Sequence, residues 1–166
     1  MTTGCGMLCL PATSPPIASS MTDSVHGLFT YKLHAIKKLT DRITSAAFEQ
    51  ALSLSLPEAR ILLNVGELGP VSVSDLAIAT HLDRSRVSRA CDALERRGLI
   101  VRSASAQDAR SVELTLTDAG RPLYDRAIVI ATDCNREILA VLSAQDRRKL
   151  HGLFDLLIKS CTETSG

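Results

Sequence analysis

The sequence has no Trp and only 3% aromatic residues, so it is short of the side chains on which proteins stack the bases of single strands and RNA loops. Nor does it hold an apolar run approaching the ~18–20 residues of a membrane-spanning helix, and no membrane partner is expected. Excess charge is missing too: 19 Lys and Arg stand against 18 Asp and Glu, a formal net charge of +1, which excludes a nonspecific polycationic coat for nucleic acid. The five cysteines (Cys5, Cys9, Cys91, Cys134, Cys161) are odd in number and include no Cys-x-x-Cys pair. They indicate neither a disulfide framework nor a zinc knuckle, and a reduced, cytoplasmic setting is expected. There is no Gly-rich phosphate loop, no Gly-x-Ser-x-Gly elbow and no His-Glu-x-x-His helix. The four histidines (His26, His34, His81, His151) fall on separate segments without metal-ligand spacing. Catalysis, a metal and a bound cofactor are therefore not expected.

What the sequence does have is concentrated between Val71 and Thr117. Ser72, followed three residues later by Asp75, has the form of a helix N-cap. Val73, Leu76, Ala77 and Ala79 would be the buried side of a short helix that stops near His81. Asp83 is a cap for a second helix, whose inward stripe is Val87, Ala90, Cys91 and Leu94 and which Gly98 ends. On a wheel of about 100° per residue, Ser85, Arg89, Asp92 and Arg96 fall opposite that stripe, with Arg86 and Ser88 on its flanks. Beyond Gly98 the period changes. Leu99 to Val101 lead into a small polar loop, after which Val112, Leu114 and Leu116 alternate with Ser111, Glu113 and Thr115, as in a half-buried strand. Two short helices followed by a two-stranded hairpin describe a winged helix-turn-helix. Val71 to Arg110 holds seven Lys and Arg against five Asp and Glu, so the placement of charge, rather than its total, must carry any DNA binding.

The run RSRVSRACDALERRGLI, the wing residues Asp108-Ala109-Arg110-Ser111 and the exit LTLTDAG resemble the MarR family of bacterial transcription regulators. With the flanking helices, the resemblance extends from about Ser24 to Cys161. It implies a reader of duplex DNA. In such a reader Arg forks reach guanine O6 and N7, and hydroxyls fix phosphates. Arg86 and Arg89 are the candidates for base edges, and Ser72, Ser74, Ser85 and Ser88 for phosphates, with Arg84 on the same surface. The resemblance further implies that Arg110 enters the minor groove while Asp108 helps hold the wing in shape. Arg102, on the strand leading out, is expected as an additional phosphate contact.

Residues 1–22, rich in Ser, Thr, Pro and Gly, are expected to be a disordered tail, with no basic stretch of the kind that opens a secretory leader. The domain is expected over 23–161: a reading lobe at about 55–116 between dimerisation helices at about 23–51 and 117–161. The first long helix carries the stripe Leu28/Phe29, Leu33, Ile36, Leu39/Thr40, Ile43 and Ala47. Ser55-Leu56-Pro57-Glu58 starts the next with a capping box, and that helix is read as running to Gly66. Thr117 caps a helix whose seam is Leu123, Ala127, Ile130, Cys134, Ile138 and Val141. Ser143 and Asp146 start a last helix with the stripe Leu150, Leu153/Phe154, Leu157 and Cys161. So much apolar surface on the terminal helices calls for a second copy of the chain, and the family resemblance implies the same two-fold dimer on a pseudo-palindromic duplex. The fold class is thus mainly α with a small β-hairpin wing.

The resemblance also implies a small-molecule effector, often an aromatic or phenolic acid, held between the dimer helices and the reader. His34 and Arg42 are the polar candidates for its carboxylate. The whole reads as a repressor released by that ligand. Two alternatives stay open: a winged helix used only for protein contacts, and a regulator that senses oxidants through Cys91 or Cys134. Some members of the family sense oxidants with a thiol in the first helix, but residues 23–51 contain no Cys.

Overall fold

In a computed structural model of the protein, the structure describes residues 24–104 and 112–164. After a 3-10 turn at Val25–Gly27 come the helices α1 (Phe29–Leu52), α2 (Leu56–Leu68), α3 (Val73–Thr80), α4 (Arg84–Arg96), α5 (Gly120–Ile138) and α6 (Ala144–Thr164). Three short strands, β1 (Val71–Ser72), β2 (Ile100–Ala104) and β3 (Val112–Leu116), complete the described elements. Among the described residues no helix is long and apolar enough to cross a membrane. The winged helix-turn-helix expected from the sequence is present.

The caps read from the sequence close as hydrogen bonds. Ser55 accepts the Glu58 N–H while the Glu58 carboxylate accepts the Ser55 N–H at 2.7 Å, a reciprocal box that opens α2. The Asp83 carboxylate accepts the Arg86 N–H at 2.8 Å, and the Ser143 hydroxyl accepts the Asp146 N–H at 3.1 Å. Thr117 serves α5, its hydroxyl accepting the Gly120 N–H at 3.0 Å and its carbonyl the Arg121 N–H. Each cap satisfies donors that the helix itself leaves without partners.

The core is built around α2, which packs on α3, α4, α5 and β3. Ala59, Ile61 and Leu62 have no solvent exposure, and Leu76, Val87, Cys91, Leu94 and Leu114 close over them. Each such leucine contributes about 1.5–3 kcal/mol through burial. α2 does not stop at Gly66 as expected. It continues to Leu68 and ends on Gly69, whose positive φ of 75° is open to glycine without penalty. Gly66 is there for space, because a Cβ at this position would run into the ring of Tyr124.

The wing is larger than the two-stranded hairpin predicted. β3 is the middle strand of a three-stranded antiparallel sheet, pairing Ile100 with Leu116 through Ala104 with Val112 on one side, and Val71 with Leu114 and Ser72 with Glu113 on the other. Leu114 is fully buried, Leu116 half-buried and Val112, near the tip, exposed, so the predicted alternation holds only at the base of the wing. In α3, Ala79 turns out to be exposed and Thr80 buried, its hydroxyl satisfied by the Leu76 carbonyl at 2.5 Å.

The long helices divide differently from expectation. In α5 the seam residues Ala127 and Cys134 are buried, and Leu123 and Ile130 pack on the chain's own core. Tyr124 is buried as well, and Val141 falls beyond the helix with 90% exposure. That seam is therefore filled largely within one chain. In contrast, Leu39 and Ile43 of α1 and Leu153, Leu156, Leu157 and Ile158 of α6 are exposed. The unit ending at Lys37 likewise exposes Leu28, Phe29, Leu33 and Ile36.

Candidate nucleic-acid interface

Of the expected contact residues, α3 carries Ser74, with Ser72 at its N-cap, and α4 carries Arg84, Ser85, Arg86, Ser88 and Arg89. The inward stripe of α4 is buried as read from the sequence, which leaves Arg84, Ser85, Arg86 and Arg89 exposed and Ser88 half-buried. Arg84 donates to the Ser74 hydroxyl across the turn, linking the two helices of the motif. Arg89 Nη1 donates to Ser85 Oγ at 2.5 Å, one helical turn back. Arg86 Nε lies 3.2 Å from Asp83 Oδ2, an exposed pair of little energetic weight. Ser72 is committed to its cap, accepting the Asp75 N–H at 3.2 Å and donating to the Asp75 carboxylate at 2.7 Å.

Arg86 and Arg89 also line a groove of about 310 Å³ shared with Ser55, Pro57 and Glu58 at the start of α2. Sequence reasoning did not place that helix start beside the reading helix, since no local pattern joins segments so far apart. The Glu58 carboxylate in this groove is held at the N-terminus of α2 by Ser55, where the helix dipole favours it.

Arg102 has two partners that the sequence did not show. Its side chain forks onto two carboxylates of α4, Nη2 to Asp92 Oδ1 at 2.6 Å and Nη1 to Glu95 Oε2 at 2.5 Å. The Asp92 bond raises its pKa still further. Asp108 and Arg110 lie outside the described residues.

Of the described thiols Cys91 and Cys134 are buried, whereas Cys161 is exposed. Burial pushes Cys91 up to about 11, with Arg102 opposing and Asp92 and Glu95 reinforcing the rise. Burial likewise raises Cys134. Both are protonated at neutral pH and hence weak nucleophiles, unlike the exposed thiolates that serve as oxidant sensors.

A second cavity, of about 220 Å³, lies among α1, α2 and α5, with Phe48, Leu56, Leu63 and Ile138 in its wall and Arg60 as its cation. Arg60 is itself 2.7 Å from Asp41. Of the residues expected to hold an effector, Arg42 is exposed and does not line this cavity, and His34 is exposed in the unit ending at Lys37.

Links from the reader to the helices around it are specific. At the end of α4, the Thr117 hydroxyl donates to the Gly98 carbonyl at 2.6 Å and the Thr117 N–H to the Leu99 carbonyl at 3.1 Å. Arg97 donates to the carbonyls of Ser53 and Leu52 at 2.8 and 3.3 Å, and Arg126 to that of Ala51 at 2.8 Å. Two guanidinium groups from α5 and the end of α4 thus cap the negative end of α1.

A short helix-turn-helix with its basic and hydroxyl-bearing face outward, backed by a three-stranded wing, defines a winged-helix transcription regulator. The sequence profile described as the MarR family matches residues 54–112. A probable transcriptional regulator from Pseudomonas aeruginosa is 30% identical over 75% of this chain and 96% of its own, with a TM-score of 0.64. The MarR family protein Rv2887 of Mycobacterium tuberculosis, solved in complex with salicylic acid, is 28% identical over 78% of this chain and 96% of its own, with a TM-score of 0.65. The transcriptional repressor MprA of Escherichia coli K12 is 27% identical over 71% of this chain and 67% of its own. The chain belongs to the MarR family.

Proposed function

We propose that the protein is a homodimeric, cytoplasmic repressor that grips a pseudo-palindromic duplex, with α4 of each protomer in a major groove, and that a small aromatic acid releases it. The observation that carries this reading is the solvent face of α4, where Arg84, Ser85, Arg86 and Arg89 are exposed while Val87, Ala90, Cys91 and Leu94 are buried. Arg86 and Arg89 read base edges, while Ser72, Ser74, Arg84, Ser85 and Ser88 fix phosphates. Arg110, supported by Asp108, reaches the minor groove. Apolar residues exposed on α1 and α6 give the second protomer its contact surface. The relative MprA is named a repressor, and Rv2887 was solved with salicylic acid. Both support the finer reading. In the cavity walled by Phe48 and Leu56, Arg60 is the cation that meets the ligand's carboxylate, a role expected from the sequence for His34 and Arg42.

The test is salt dependence on a duplex that the full chain selects from a randomised pool. A DNA reader loses affinity with a log–log slope of about −0.9 for every phosphate it neutralises. A flat response, or a pool that yields no bound duplex, would mean that the helix face serves protein contacts instead.

A further inference from the structure

The reading face of α4 contains a contradiction. Its first half offers Arg84, Ser85, Arg86 and Arg89, but its second half sets beside Arg96 the two carboxylates of Asp92 and Glu95, three residues apart on a helix read as approaching a polyanion. Left alone, they would repel phosphates and be drawn toward the arginines meant for DNA. The structure shows what occupies them: Arg102, from the wing strand β2, takes both at once. Its planar fork suits this task, because one guanidinium presents separate N–H groups to two acceptors, which a single ammonium does less well. The group is about one third exposed, less wet than the arginines of the α4 N-terminal half, and its backbone is fixed in the sheet opposite Leu114.

We propose that Arg102 is a positioning residue for DNA recognition. It acts through Asp92 and Glu95, holding both carboxylates away from the duplex and tying the wing to the reading helix, rather than by touching a phosphate itself. The proposal rests on the chain being a DNA reader. It explains why a helix meant for DNA tolerates two acids: the negative charge is matched by a cation from another element, and the match fixes how far the wing stands from α4.

The experiment is a cycle on a selected duplex of about 30 base pairs, comparing the full-length wild type, Arg102→Met, Asp92→Asn/Glu95→Gln, and the triple variant. Arg102→Met should weaken binding by roughly tenfold or more in the wild-type background and by less than about threefold in the Asn/Gln background, with the salt slope unchanged in both. A similar loss in both backgrounds, with a slope lower by about one, would make Arg102 a phosphate contact and overturn the proposal. No loss in the wild-type background would overturn it as well. If the single variant does not fold, as judged by circular dichroism, the Asn/Gln pair with and without Arg102 still decides, since only a phosphate contact changes the slope there. If wild type selects no duplex, it is the DNA-binding reading that fails, and the cycle is not run.

Discussion

A methyl group on Gly120 would overlap the carbonyl of Leu99, so the first turn of α5 can lie against the end of the reading helix only because that position has no side chain. The neighbouring Thr117 bonds to Gly98 and Leu99 from the same place. Reader and long helix are therefore joined backbone to backbone.

Gly120→Ala should accordingly destabilise the protein more than Gly66→Ala. The Leu99 carbonyl belongs to the backbone and cannot swing aside, whereas the obstacle at Gly66 is the Tyr124 ring. Overpacking costs typically about 1–3 kcal/mol, which at Gly66 is partly offset by the better helix propensity of Ala, about 1 kcal/mol. Urea unfolding of the two variants gives the order, and a Gly120→Ala protein as stable as wild type would contradict the packing described.

The two arginines that cap α1 should matter out of proportion to their exposure. Arg97→Ala and Arg126→Ala each remove charged donors from the carbonyls of Leu52 and Ser53 or of Ala51. Each should lower the thermal midpoint by roughly 2–4 °C, the effect of about 1 kcal/mol in a chain of this size. Arg148→Ala on exposed α6 is the control, and equal shifts in all three would reduce the caps to surface decoration.

Base readout is the expectation for Arg89. Its removal should cost about 1–3 kcal/mol on the selected duplex and relax preference at one position per half-site. Uniform weakening across all sequences would reassign it to phosphate.

The Cys91 thiol, raised by burial from 9.0 to about 11, keeps its proton in the folded protein at a pH where an unfolded chain has lost it. Stability from this source is fully present below about pH 9 and declines as the pH climbs through 11. The wild type should therefore lose stability relative to Cys91→Ala across that window. Parallel curves for the two proteins would show that the thiol titrates normally.

Salicylate, used as a probe of the α1–α2–α5 cavity, should bind more weakly after Arg60→Met while duplex affinity in the absence of ligand changes little. By linkage, the factor by which salicylate weakens duplex binding must equal the factor by which the duplex weakens salicylate binding. Calorimetry with and without duplex measures both, and equal affinities in the two titrations would remove the ligand from the switch.

Much of this was legible because it is local. Ser55 with Glu58, Asp83 with Arg86 and Ser143 with Asp146 announce helix starts within four residues, and the stripe Val87, Ala90, Cys91, Leu94 announces a buried face by spacing alone. What escaped depends on pairings across the chain. The two residues of β1 become a strand only through Leu114 and Glu113. Gly66 reads as a stop until Tyr124 is seen to need the space. Periodicity in α5 signalled burial correctly but could not say that α2, in the same chain, supplies the cover. The partners of Arg102 escaped for the same reason: its charge is visible in the sequence, and its two acidic partners on α4 are visible only in the fold.

The caps on α1 also bear on the order in which the chain folds. α1 is made before its closing donors, which follow 44, 45 and 75 residues later. Local bonds from the Ser53 and Leu54 N–H groups to Glu49 and Phe48 close the helix first, and on the ribosome the two arginine caps can be added only after the reading helix and then α5 have been synthesised and have docked. Completion of that corner is thus a late step that records the arrival of both. Amides in the last turn of α1 should gain protection from hydrogen exchange in step with α5 rather than with the rest of their own helix.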